Sequence, residues 1–139
     1  MAIVLDADVI IKGEKGNFDL RRWLASQQDQ ELEIAAVTVA ELWHGVERAT
    51  VPHRAKRERY VRTIVGRLSI LPYTEVTALE HARIWAALEA AGKMIGYYDL
   101  TVAATALEHG SAVATFNQRH FSQVSGLKVI EPQVGSGSI

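Results

Sequence analysis

Two aspartates interrupt the most apolar stretch of the chain. In Ile3-Val4-Leu5-Asp6-Ala7-Asp8-Val9-Ile10-Ile11, seven of nine residues are apolar, a composition suited to the middle of a sheet covered on both faces. Burying an unpaired carboxylate is costly, so a chain keeps acids in such a run only where something satisfies them, either a backbone cap or a ligand. Ligands of parallel sheets sit at the carboxyl ends of the strands, and Asp6 directly follows the strand expected over residues 3–5. Asp8, immediately before Val9-Ile10-Ile11, is the better placed of the two to cap a following turn or helix. Asp6 is the better placed to meet a ligand.

The rest of the chain alternates strand and helix signals. Short apolar runs at 34–37, 68–71, 112–115 and 128–130 read as strands. Helical periodicity runs through 19–28, from Thr38 to Val46, and through 53–67, 77–91 and 98–109, the last two closed by Gly92 and Gly110. The alternation predicts an α/β fold: a central parallel sheet flanked by helices on both faces, an α/β/α sandwich. At 139 residues, 48% of them apolar, the chain suits one domain over 1–132. Residues 133–139, with the alternation Gly135-Ser136-Gly137-Ser138, read as a flexible tail or an added linker.

Several classes are excluded at this point. There is no cysteine, hence no disulfide framework and no thiolate zinc site. The histidines at 44, 53, 81, 109 and 120 never fall four apart, so a zincin-like helix is absent. The apolar N-terminal run lacks a basic leader and is cut by Asp6, which argues against a signal or membrane segment and for a cytoplasmic protein without a membrane partner. The net charge of -1 gives no basic whole-molecule field, so contact with nucleic acid must be local.

Two further acids adjoin apolar runs. Glu41 closes Thr38-Val39-Ala40-Glu41, which has the spacing of a capping box; the alternative is a ligand, because this helix would start at the carboxyl edge of the strand over 34–37. Asp99 precedes Leu100-Thr101-Val102-Ala103-Ala104 and reads either as an N-cap or as a ligand. The other aspartates, Asp19 and Asp29, lie in polar surroundings. A doubly wound sheet would bring Asp6, Glu41 and Asp99 to one edge, and such a trio of hard oxygen donors suits Mg2+ or Mn2+ completed by water and phosphate. The basic segment containing Arg54, Lys56, Arg57 and Arg59 reads as a phosphate-contacting face or as an ordinary solvated one. Tyr98, with Tyr97, stands where a base could stack. Trp23, Trp43 and Trp85 sit in amphipathic helices and belong to packing.

In order and spacing, Val4-Leu5-Asp6-Ala7-Asp8-Val9-Ile10, Val37-Thr38-Val39-Ala40-Glu41-Leu42, Tyr97-Tyr98-Asp99-Leu100-Thr101 and Ala114-Thr115-Phe116-Asn117-Gln118-Arg119-His120-Phe121 resemble the motifs of PIN-domain proteins, most closely the VapC toxins of VapBC toxin-antitoxin modules. The resemblance covers nearly the whole chain up to about its last ten residues. It implies that Asp6, Glu41 and Asp99 are the acidic metal-binding and catalytic positions, and that Asn117 fills a fourth position where the family carries Asp or Asn. With Asn there, a second cation would be held more weakly. Asp8 stands where many relatives have Asn, which implies a role in ordering the first loop, and Thr115 is placed to hydrogen-bond the acids or a metal's waters. The resemblance further implies a magnesium-dependent endoribonuclease acting on tRNA or rRNA loops, a homodimer, and a VapB-type antitoxin that blocks the cleft in a heterotetramer or larger assembly. The Asp6-Ala7-Asp8 opening also suits a haloacid-dehalogenase phosphatase, but that reading wants a late aspartate pair and Asp99 is alone. A phosphoacceptor receiver domain wants an aspartate after its middle strand and a late lysine, and neither stands at a suitable place. A PIN-like fold that binds without catalysis is the third alternative.

Overall fold

The computed structural model describes residues 1–133, so most of the expected tail, from Val134 on, lies outside the described residues. Five strands, β1 (Ala2–Leu5), β2 (Glu31–Ala35), β3 (Ser69–Leu71), β4 (Ala112–Ala114) and β5 (Val129–Ile130), form one parallel sheet in the order β3-β2-β1-β4-β5. Seven helices connect them among the described residues: α1 (Ala7–Glu14), α2 (Leu20–Ser26), α3 (Ala36–Arg48), α4 (Val51–Val65), α5 (Glu75–Ala90), α6 (Tyr97–Glu108) and α7 (Gln118–Phe121).

The most apolar strand, β1, takes the centre, paired with β2 on one side and β4 on the other, with Leu5 in register with Ala114. Its side chains alternate between two cores. Ile3 and Leu5 join Ile34 and Ala114 under α1 to α4, where Val9, Ile10, Leu20, Trp23, Leu42, Val46 and Val61 are buried. Val4 and Val113 face the other way, onto Ile84 and Leu88 of α5, the small and β-branched run Val102 to Ala106 of α6, and Phe121 of α7. Period-two alternation of an apolar strand between two helical layers is the expected α/β/α sandwich.

Helix starts differ from the sequence reading in instructive ways. Asp6, not Asp8, is the N-cap of α1, and its side chain accepts from the Ala7 N–H. α3 begins at Ala36, so Thr38 lies inside the first turn, fully buried, and the capping box expected for Thr38 and Glu41 does not form. α4 starts at Val51 with Pro52 in its first turn, where a missing N–H costs nothing. α5 starts at Glu75 behind a Thr74–Thr77 capping box. α1 and α7 were not separately expected.

α1 is held tightly from both sides. Tyr60 Oη of α4 donates to the Ile10 carbonyl at 2.6 Å. At Gly13 a Cβ would stand 2.7 Å from Leu20 Cβ and 2.9 Å from Tyr60 Oη, so only glycine permits this approach. The helix carrying Asp8 is therefore fixed against α2 and α4.

Candidate active site

The carboxyl end of β1 delivers Asp6 into a polar pocket. The Asp6 N–H donates to the Ala114 carbonyl at 2.9 Å, continuing the β1–β4 ladder by one bond. Both carboxylate oxygens have protein donors: Ala7 N–H on Oδ1 at 2.9 Å and Thr115 Oγ1 on Oδ2 at 2.8 Å. Thr115 follows β4 directly, is fully buried, and accepts from the Asn117 N–H at 2.9 Å through the same hydroxyl oxygen. Its one proton goes to Asp6, which leaves its approaches of 3.4 and 3.5 Å to the Asp8 carboxylate as polar contacts. Asp8 instead accepts from the Phe116 N–H at 3.1 Å, which ties the start of α1 to the turn after β4. This contact gives the ordering role expected of Asp8 a physical form.

Asp99 enters from the first turn of α6, whose N-cap is Gly96. Asn117 Nδ2 lies 3.3 Å and His120 Nδ1 3.0 Å from Asp99 Oδ2, and these two partners stand 2.9 Å from each other. Glu41, on the second turn of α3, completes the group; its Oε1 is buried and meets no hydrogen-bond partner among the described residues. The structure thus gathers Asp6, Asp8, Glu41, Asp99, Thr115 and Asn117, and adds His120, which the sequence reading did not single out. The only sign of His120 in the sequence was its place in the segment after β4, three residues beyond Asn117.

The electrostatics follow from burial and crowding. Desolvation raises the Asp6 carboxyl from 3.8 to about 7, with Asp8 and Asp99 adding to the rise and the bonds from Thr115 and Ala7 opposing it. Desolvation likewise raises Glu41 to about 7, helped by the charges of Asp99 and Asp8, and it raises Asp8. No lysine or arginine forms an ion pair with these four acids among the described residues. Crowded carboxylates with no lysine or arginine in direct contact, one of them with a buried oxygen left unpaired, are a hard-oxygen donor set of the kind that fits a divalent cation.

The expected RNA-contacting residues are distributed differently. Arg57 pairs with Glu14 at 3.0 Å and reaches the Gly45 carbonyl, and Arg54 donates to the Glu47 carbonyl. The Arg57 guanidinium is therefore held against the protein, while exposed Arg54 spends one donor on a backbone carbonyl. Lys56 and Arg59 are exposed on α4. Tyr97 and Tyr98 are exposed two residues and one residue before Asp99, while Trp23 is buried in the core and Trp85 is half-exposed and stacked on His81.

A parallel α/β/α sheet with buried acids at the carboxyl end of its central strand defines a class, and comparison with known proteins names it. Residues 3–127 match the PIN domain. The VapC ribonuclease Y4jK of Sinorhizobium fredii is 33% identical over 138 residues, covering 94% of this chain and 96% of that protein. The tRNA(fMet)-specific endonuclease VapC of Shigella flexneri is 32% identical over 95 residues, covering 68% and 70%. Among solved structures, DNA-bound VapBC from Salmonella typhimurium superposes with a TM-score of 0.86 at 25% identity over 94% of this chain and 98% of that one. The chain belongs to the PIN-domain family and, within it, to the VapC ribonucleases.

Proposed function

We propose that this VapC-type ribonuclease is an endonuclease dependent on Mg2+, with Mn2+ as the alternative ion, and that Asp6, Glu41 and Asp99 hold the cation. The observation that carries the reading is the buried, unpartnered Glu41 Oε1 beside three other carboxylates with no lysine or arginine paired to them. A bound divalent cation supplies polarisation of the phosphoryl oxygen and a lowered pKa for its water.

The chain's own residues do the rest. Glu41, beside the cation, orients or deprotonates the attacking water. Thr115 and the Ala7 N–H fix the Asp6 carboxylate in one orientation, and Asn117 and His120 do the same for Asp99 Oδ2. Asn117 contributes this orientation without adding a further negative charge, so a second cation would be held more weakly.

The substrate is RNA, with tRNA or rRNA loops as the class; the Shigella relative named for tRNA(fMet) supports the first. The protein acts in the cytoplasm as the toxin of a toxin-antitoxin pair. Sequestration by a VapB-type antitoxin is supported by the VapBC complexes among its structural neighbours, and the assembly that goes with this reading is a homodimer bound by antitoxin as a heterotetramer or larger. Among the described residues no helix is long and apolar enough to cross a membrane.

The test is cleavage of total cellular RNA by the purified chain beside an Asp6→Ala, Asp99→Ala double variant, with and without magnesium, read by end-mapping. Discrete magnesium-dependent fragments from the intact chain alone are expected. Identical fragments from both proteins, or cleavage that survives chelation, would overturn the assignment.

A further inference from the structure

A pocket lined by Asp6, Asp8, Glu41 and Asp99 repels the polyanion it is meant to receive. A single divalent ion offsets only part of that charge, so a strand of RNA needs a cation on the protein close to the pocket. Of the basic residues that the sequence suggested for this work, Arg57 is held by Glu14 and Arg54 reaches back to the Glu47 carbonyl, while Lys56 and Arg59 stand exposed on α4.

Lys12 is the cation that the fold places there. It lies on α1 one turn beyond Asp8, so the two share a helix face. Its Nζ stands 4.5 Å above the centroid of the Phe116 ring. That ring is set edge-to-face against Phe18 at 5.1 Å and 76°, and the Phe116 N–H donates to Asp8 Oδ2. The perch is therefore rigid and joined to the acidic pocket through Asp8. Lys12 is exposed and makes no ion pair with any carboxylate among the described residues, and its charge is felt at Asp8, where it opposes the rise caused by burial. A ring face directs an ammonium group without using up its three N–H donors. A phosphate is the complementary ligand.

We propose that Lys12, steadied by the face of Phe116, binds a backbone phosphate of the RNA strand beside the acidic pocket. The inference rests on the ribonuclease reading and adds to it a residue that places the strand. The bland alternative is that Lys12 only complements the carboxyl end of the α1 dipole, in which case it contributes stability and no affinity for RNA.

The experiment is fluorescence anisotropy with a fluorescein-labelled single-stranded oligoribonucleotide, in EDTA so that nothing is cleaved, across a sodium chloride series. Four proteins are compared: wild type, Lys12→Gln, Lys12→Arg and Lys128→Gln. Lys128 is an equal charge at the opposite, amino edge of the sheet, where its Nζ lies 3.6 Å from Met1 Sδ. Loss of one phosphate contact lowers the slope of log K against log salt by about 0.7 and weakens binding about fourfold near 0.15 M salt. Lys12→Gln is expected to show both changes, Lys12→Arg to restore them, and Lys128→Gln to bind like wild type. Equal behaviour of Lys12→Gln and Lys128→Gln, with wild type still binding RNA, would overturn the assignment of Lys12 alone. Wild type that neither binds RNA in a salt-dependent way nor cleaves it with magnesium would overturn the ribonuclease reading and this inference together.

Discussion

Replacing Asp6 by asparagine should make the metal-free protein more stable at neutral pH while disabling it. The carboxyl ionises near 3.8 in an unfolded chain and near 7 in the folded one, so about 3 units at 1.36 kcal/mol each, or about 4 kcal/mol, oppose folding once both states are ionised. The sign follows from proton binding. Below 3.8 the carboxyl is protonated in both states and the penalty is absent; between 3.8 and 7 only the folded chain holds the proton, so stability falls as pH rises; above 7 the full penalty applies. Asparagine removes the charge but can reproduce only one of the acceptor bonds from Ala7 and Thr115, a loss of about 1–2 kcal/mol. The net gain is about 2 kcal/mol at about pH 8, or about 6 °C in Tm for a domain of this size. At about pH 4 the gain vanishes and the variant falls below wild type by the lost hydrogen bond. Thermal melts in EDTA at both pH values measure this directly. Added magnesium should then raise the wild-type Tm and leave the variant nearly where it was, because a ligand stabilises only the state that binds it. A variant less stable than wild type at the higher pH, or a difference that does not change with pH, would refute the reasoning.

Three further outcomes follow from individual contacts. Glu41→Gln keeps the shape of a side chain whose Oε1 has no partner, so it should fold normally yet lose about 10²–10³ in single-turnover cleavage, as expected for loss of a general base; unchanged cleavage would remove Glu41 from the chemistry. His120→Ala frees Asp99 Oδ2 from one of its two partners and should weaken magnesium binding by about tenfold in calorimetry, whereas wild-type affinity would reduce the contact to an incidental one. Gly13→Ala drives a methyl group into Leu20 and Tyr60 and should lower the urea midpoint by an amount equivalent to about 1–3 kcal/mol; an unshifted midpoint would mean that α1 can move away from α2.

The sandwich was legible because β1, β4 and β5 fall in short apolar runs and because α3, α5 and α6 keep helical period over several turns. By contrast, β2 lies at Glu31–Ala35 and not at 34–37, its start hidden by Glu31 and Glu33 and its end by apolar residues that continue directly into α3. α1 was not, since an apolar run that passes from β1 through Asp6 into a buried helix has no break in hydrophobicity to mark the change, and the cap itself is one of the acids in question. α7 is a single turn, too short for any periodicity to register. Among the acids, proximity to apolar runs separated Asp6, Glu41 and Asp99 from Asp19, which caps the exposed start of α2. The capping-box alternative for Glu41 failed for a reason that no local spacing reveals: the helix starts at Ala36 without a side-chain cap, so Thr38 is turned into the core and Glu41 is free of it. His120 reaches Asp99 only because α7 folds back behind Asn117, a tertiary contact across 21 residues.

The central position of the first strand has a consequence for how the protein is made. Synthesis runs from the N-terminus, yet β1 is flanked by β4, and Asp6 acquires its bond from Thr115 across 109 residues of sequence. Asp99 and Asn117 likewise belong to the last third of the chain. A growing polypeptide therefore carries Asp6, Asp8 and Glu41 without the partners that turn them into a site until residues 99–117 emerge, because loop closure over such distances waits for that segment. An enzyme that attacks RNA is in this way left without its assembled site, beside the RNA-rich machinery that produces it, until the segment from Asp99 to His120 has been added.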